Sequence, residues 1–233
     1  NWLYDWREFV SLDDSNFQTA VNLWFDNQAD ANATYGHISD WNTSAVTNMS
    51  SAFDGRTTFN EDIGRWDVSN VRNMTMMFNE AEAFNQDIGD WNVSSVLRMY
   101  RIFRKAVSFN QDISDWDVSN LEVLAAAFEG ASSFNQDIGN WNTSSLQNLA
   151  AAFNAAHTFN QDIGNWDISN VTTLQNTFWN AVSFNQDLSD WNVSSVTNMS
   201  NFFENTSSLS SANKGKIHSS LSSNSNWPYD WSN

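Results

Sequence analysis

Phe59-Asn60-Glu61-Asp62-Ile63-Gly64-Arg65-Trp66-Asp67-Val68-Ser69-Asn70-Val71-Arg72-Asn73-Met74-Thr75-Met76-Met77-Phe78-Asn79-Glu80-Ala81-Glu82-Ala83 is one unit of a pattern that recurs along most of the chain. Its tryptophan returns at Trp41, Trp66, Trp91, Trp116, Trp141, Trp166 and Trp191, seven times at a period of 25 residues. A unit this short cannot bury its apolar face alone and has to stack on its neighbours. The 233 residues therefore read as a single elongated array with capped ends rather than as two globular domains.

Within the unit, Ile63, Trp66 and Val68 have the rhythm of a short strand entering a core. Ser69 or Asn70 offers a helix N-cap. Val71, Met74, Met77 and Phe78 then fall at i, i+3, i+6 and i+7, the stripe of a short helix. The expected fold is an α/β solenoid of seven strand–short helix repeats, one parallel sheet at a spacing of about 4.8 Å, and helical caps. The columns agree in their apolar character: Val46 to Val196, Met49 to Met199 and Phe53 to Phe203 repeat at every 25th position with only Leu as a substitute. These stacks read as core.

The polar columns read differently. Between Trp and Val sit Asn42, Asp67, Asn92, Asp117, Asn142, Asp167 and Asn192, in strict alternation and pointing away from the expected core. A pure Asp column would set like charges side by side, and interleaved Asn is expected to give amide protons to both neighbouring carboxylates. This exposed Asp/Asn/Ser rank is the candidate ligand-binding surface. Ser44 through Ser194 recurs in every repeat as a turn or cap hydroxyl. A second acidic column, Asp62, Asp87, Asp112, Asp137, Asp162 and Asp187, follows Phe-Asn-Gln or Phe-Asn-Glu. Calcium loops gather several oxygens around a sharp Gly turn; this spacing fits that pattern poorly. The structural reading of the column is therefore favoured over a row of calcium sites, which stays open as the alternative, and no other cofactor is expected.

The segments divide as residues 1–11, a linker or the tail of a preceding module; 12–37, an N-terminal helical cap; 38–209, the repeats; and 210–233, a C-terminal cap and linker. Phe17, Val21, Trp24 and Phe25 share one helical face after Asp14 or Ser15, and Ile217 and Leu221 suggest a closing helix. Asn1-Trp2-Leu3-Tyr4-Asp5-Trp6 nearly restates Asn226-Trp227-Pro228-Tyr229-Asp230-Trp231. Trp2, Tyr4, Trp6, Trp227, Tyr229 and Trp231 are therefore candidates for docking one module on the next, in a longer tandem protein whose partners are copies of this unit.

The motif Phe-Asn-Gln-Asp-Ile-Gly-x-Trp-(Asp/Asn)-Val-Ser-x-Val-x-x-Met resembles the BspA-like leucine-rich-repeat surface proteins over roughly residues 31 to 209. Tyr35-Gly36-His37-Ile38 and the Trp-Pro-Tyr-Asp-Trp ending resemble caps of that family in marine microbes and protists. The resemblance implies a leucine-rich-repeat-like fold and an extracellular, cell-surface or adhesive role. It brings no catalytic residues.

A net charge of −17 with ten Lys and Arg argues against nucleic acid and anionic membranes as partners. No stretch is apolar enough for membrane insertion, and with no Cys neither disulfides nor thiolate metal sites are possible. His37, His157 and His218 are isolated, and no phosphate loop or metal-ligand spacing occurs. An enzyme is not expected. Acceptor sequons recur; in a eukaryotic secretory protein glycans are expected at the outer helical positions Asn48, Asn73 and Asn198 and at Asn32 and Asn205. The leading expectation is a non-catalytic structural or adhesive module of a longer tandem cell-surface or filament protein outside the cell. The alternative is recognition of cell-surface glycans or proteins by the Asp/Asn/Ser rank. Ice binding wants flat ranks of Thr, which are missing here.

Overall fold

Between Met74 and Ala81 the backbone amides take turns. Met74, Met76, Phe78 and Glu80 donate to Arg98, Tyr100, Ile102 and Arg104 of the following coil, at 2.7–2.9 Å. Met77, Asn79 and Ala81 donate three residues back, to Met74, Met76 and Phe78. A helix would direct every amide four residues back along its own chain. This segment is instead a run of overlapping turns that shares its hydrogen bonds with the neighbouring coil.

The computed structural model describes residues 9–232. Among them the elements are α1 (Phe17–Asp26), α2 (Gln28–Tyr35), a three-residue 3₁₀ turn (Ile38–Asp40) and α3 (Ser211–Leu221). No strand occurs among the described residues. Parallel pairing is confined to isolated single-residue bridges, Asn48–Asn73, Asn73–Arg98, Arg98–Val123, Val123–Asn148, Asn148–Thr173 and Thr173–Asn198, with Asp13–Ala45 at the N-terminal end.

The expected leucine-rich-repeat-like α/β solenoid is therefore overturned twice. Ile63 to Val68 forms turns and extended links, not a strand of a parallel sheet, and Val71 to Phe78 is not a helix. The bridge column falls where the helix was expected to begin. The physical reason lies in the backbone. Residues 51, 76, 101, 126, 151, 176 and 201 all have φ between 53° and 58°, and a second such column runs through Gly55, Glu80, Lys105, Gly130, Ala155, Asn180 and Asn205. Two left-handed residues per coil forbid a continuous right-handed helix. Nothing in Ser51, Met76 or Arg101 announces that conformation, because only Gly favours it outright.

Burial follows the apolar columns despite the changed backbone. Val71, Met74, Met77 and Phe78 are fully buried, as are their equivalents along most of the array. Two phenylalanines per coil pair face to face, Phe78 on Phe84 at 4.0 Å and Phe103 on Phe109 at 3.9 Å. Each pair stacks on the next, with Phe78–Phe103 at 5.5 Å and Phe84–Phe109 at 6.0 Å. The in-coil pairs are closer than the roughly 4.5–7 Å that ring quadrupoles favour. Buried area, not ring electrostatics, holds them.

The tryptophans lock coil to coil. Trp41 donates its indole N–H to Gly36 O at 2.9 Å. From Trp66 on, the indole N–H donates back to the carbonyl of the isoleucine 28 residues earlier: Trp66 to Ile38, Trp91 to Ile63, Trp116 to Ile88, Trp141 to Ile113, Trp166 to Ile138 and Trp191 to Ile163, at 2.8–3.2 Å. The same carbonyl also accepts the amide of its own coil's tryptophan, as Ile63 does from Trp66 at 3.1 Å. Beside it, Asn60 Oδ1 accepts the amide of Asn85 and Asn60 O accepts Gln86 Nε2, both at 2.9 Å, and this pair of bonds recurs down the Phe-Asn-Gln column.

Three substitutions test this packing by urea unfolding. Phe128→Ala should cost about 3–5 kcal/mol, from lost burial and a cavity. Gly139→Ala should be destabilising because its Cβ would lie 2.4 Å from Asp162 O. Ala155→Gly should stabilise by about 0.5–1 kcal/mol, since its φ of 53° suits glycine better than alanine.

Candidate functional site

Asn and Asp have in common a side-chain oxygen that can accept the amide two residues on, closing an Asx turn. That is what the alternating column does. Oδ1 of Asn42, Asp67, Asn92, Asp117, Asn142, Asp167 and Asn192 accepts the amide of Ser44, Ser69, Ser94, Ser119, Ser144, Ser169 and Ser194, at 2.9–3.3 Å. Several of these serines add their hydroxyl, Ser69 Oγ to Asp67 Oδ1 at 2.6 Å for example. The expected amide-to-carboxylate bonds between neighbouring column members do not form; each side chain serves its own coil. The coils are joined at the next column instead, where Asn70, Asn120 and Asn170 donate Nδ2 to Ser44 O, Ser94 O and Ser144 O at 2.9 Å. Ser145 and Ser195 make the equivalent reach with a hydroxyl, to Ser119 O and Ser169 O.

All seven residues of the candidate rank are exposed. With Oδ1 engaged in the turn, the outer Oδ2 or Nδ2 is the atom that faces solvent. Serine hydroxyls and then serine amides hold the carboxyls of Asp67, Asp117 and Asp167 below the usual carboxylate range. A shallow cleft of about 520 Å³ beside this rank is lined by Leu97, Asn120, Glu122, Ser144, Ser145, Gln147 and Asn170.

The second acidic column has the same job. Asp62, Asp87, Asp112, Asp137, Asp162 and Asp187 accept the amide two residues on, from Gly64, Gly89, Ser114, Gly139, Gly164 and Ser189, at 2.9–3.0 Å. Among the described residues no three His, Asp or Glu side chains converge as metal ligands would.

Both ends of the array are closed by groups that imitate a missing coil. Arg72 donates its amide to Thr47 O; Thr47, with no coil before it, donates its amide and hydroxyl to the Asp14 carboxylate instead, and Asn48 adds its amide. Desolvation opposes ionisation at Asp14, but these hydrogen bonds outweigh it and hold its carboxyl low. At the other end Phe178 donates its amide to Phe202 O, whereas Phe203 donates to the Tyr229 hydroxyl at 2.7 Å. Burial pushes the Tyr229 phenol up to about 12. Asn213 Nδ2 takes the place of the next glutamine on Asn185 O.

Trp227, Tyr229 and Trp231 pack on Phe203 with centroids at 6.5, 6.3 and 5.6 Å and are half-buried. They cover the end of their own array. Trp2, Tyr4 and Trp6 lie outside the described residues. At the N-terminal cap, Phe9 and Val10 are 52% and 49% exposed, a pair that the sequence reading passed over.

Of the sequon asparagines, Asn48, Asn73 and Asn198 do not sit on an outer helix; they lie in the bridge column. Asn198 and Asn205 already use Nδ2 on Gln175 and Asn180. Asn48 is exposed, and Asn32 is half-buried on α2. No helix among the described residues is long and apolar enough to cross a membrane.

A family model described as "Mycoplasma protein of unknown function, DUF285" matches residues 19–130 and again 112–216. The chain belongs to this family. The two DUF285 matches overlap at residues 112–130 and together run from α1 into α3. No curated protein matches the chain.

The triple variant Asp67→Asn, Asp117→Asn, Asp167→Asn tests the turn role, because asparagine already does this work at Asn42, Asn92, Asn142 and Asn192. Folded-state carboxyls held low contribute stability that is complete above the unfolded value of about 3.8 and is lost as pH falls through the lower folded value. The variant should unfold like the parent at pH 7 and lose less stability between about pH 5 and pH 2, measured by thermal unfolding across that range.

Proposed function

We propose that this member of the DUF285 family is a non-catalytic structural or adhesive module, outside the cell or on its surface, whose copies meet end to end. The observation that carries the reading is the pair of unlike ends. The C-terminal end presents half-buried Trp227, Tyr229 and Trp231, and the N-terminal cap presents exposed Phe9 and Val10. Unlike apolar ends favour head-to-tail contacts, which build open filaments unless the rotation closes a ring. The likeness of Asn1-Trp2-Leu3-Tyr4-Asp5-Trp6 to the segment that covers Phe203 supports a tandem arrangement, and the resemblance to BspA-like surface repeats supports the location.

A second reading, recognition of glycans or proteins along the Asx rank, is favoured by its exposure in every coil and by the outward amide and carboxylate atoms. The first reading is tested by sedimentation velocity from about 1 to 300 µM, a range suited to weak interfaces. The sedimentation coefficient should rise with concentration, and Phe9→Ser with Val10→Ser should abolish that rise while leaving the thermal unfolding midpoint unchanged. A monomer throughout the range would remove the end-to-end reading.

A further inference from the structure

The column of Ser50, Thr75, Tyr100, Ala125, Ala150, Gln175 and Ser200 dips to alanine in two successive coils, and the next column dips with it at Ala126 and Ala151. Coils here are 5.6–5.8 Å apart, measured between the phenylalanines beneath. The dip leaves a notch of about 410 Å³, walled by Tyr100 and Arg101 on one side and by Gln175, Asn176 and Trp179 on the other, and lined also by Glu129, whose carboxylate is engaged by Arg104 at 3.3 Å. Nothing in the coil geometry requires small residues there, since the equivalent positions hold methionine, arginine and asparagine elsewhere.

Two polar groups at the notch are without partners. Asn154 is only 9% exposed, lines the notch, and its side-chain amide makes no hydrogen bond among the described residues. Its equivalent Asn79, by contrast, is bonded on both sides, to Asp54 and Arg104. The Asn154 amide, free of partners among the described residues, is among the groups that line the notch. Arg101 lies over the Tyr100 ring at 4.9 Å, and its Nε is shielded from solvent with no partner. Four of the ten Lys and Arg residues fall in this one coil, Arg98, Arg101, Arg104 and Lys105. Arg104 and Lys105 are paired with Glu80, and Arg104 also meets Glu129. Arg101 has no carboxylate partner among the described residues, in a chain of net charge −17.

We infer that this notch binds a saccharide bearing a carboxylate, of the uronic acid type. A guanidinium receives a carboxylate as a fork. The amides of Asn148, Asn154, Gln175 and Asn176 match sugar hydroxyls as both donors and acceptors. Trp179 offers an aromatic ring to the apolar face of a pyranose, over a floor of alanine. The site is separate from both ends and from the Asx rank, so it does not depend on copies docking end to end.

The test follows the Trp179 indole N–H by NMR, identified with Trp179→Phe, during titration with glucuronic acid and a glucuronate-containing disaccharide at low salt. Saturable binding is expected with a dissociation constant on the order of 1 mM or tighter, and weaker binding for the matching neutral sugars. Arg101→Gln should weaken the acidic sugar about ten-fold. Ala150→Gln, which installs the residue that the next coil carries at Gln175, should block binding with the thermal midpoint unchanged. No saturable shift with any of these sugars overturns the inference. So does binding that both variants leave intact, or a preference for an acidic peptide over the sugars.

Discussion

One carbonyl per coil carries the architecture. The isoleucine oxygen accepts the amide of its own tryptophan and the indole N–H of the tryptophan 28 residues later, so both lone pairs are used, one inside the coil and one between coils. A buried indole needs a partner, and here the partner belongs to the neighbour. The consequence is that no coil satisfies its own core. The Asn-Gln bonds to the preceding coil and the alternating amides between Met74 and Ala81 repeat the same rule in the backbone, and stability is shared between neighbours as it is in repeat proteins generally.

This rule also explains why the chain is so legible as a repeat and so misleading as secondary structure. The period and the buried columns could be read from the tryptophans, valines, methionines and phenylalanines, because burial selects residue type at each position. The conformation linking them could not. Spacings of i, i+3 and i+7 arise from a helix, but they arise equally from overlapping turns that step inward every third or fourth residue. The deciding feature is a left-handed residue at the position of Met76 and again at Glu80, and the chain fills those positions with ordinary side chains. Gly55, Gly130, Asn180 and Asn205 in the second column suit that conformation, but Glu80, Lys105 and Ala155 between them do not, so the signal is broken along the column.

The polar columns were legible in composition and not in partnership. Alternating Asp and Asn suggested bonds running along the array between neighbours; the side chains instead close turns within their own coil, and the serine two residues on is the clue that points there. The notch at Ala125 and Ala150 lacked any motif. Its signal is an absence of bulk, visible only after the 25-residue register has been laid out and the unpartnered Asn154 has been placed beside it.

The ends deserve the same physical reading. Asp14 supplies a carboxylate where a preceding carbonyl would be, and Tyr229 supplies a hydroxyl where a following one would be. Each cap contacts only the coils nearest it, the N-terminal one reaching as far as Trp66, and cannot sense how many lie between. Length is therefore uncoupled from closure: a gene that gains or loses whole units keeps both lids, and the molecule can serve as a ruler whose span changes while its two end surfaces stay the same.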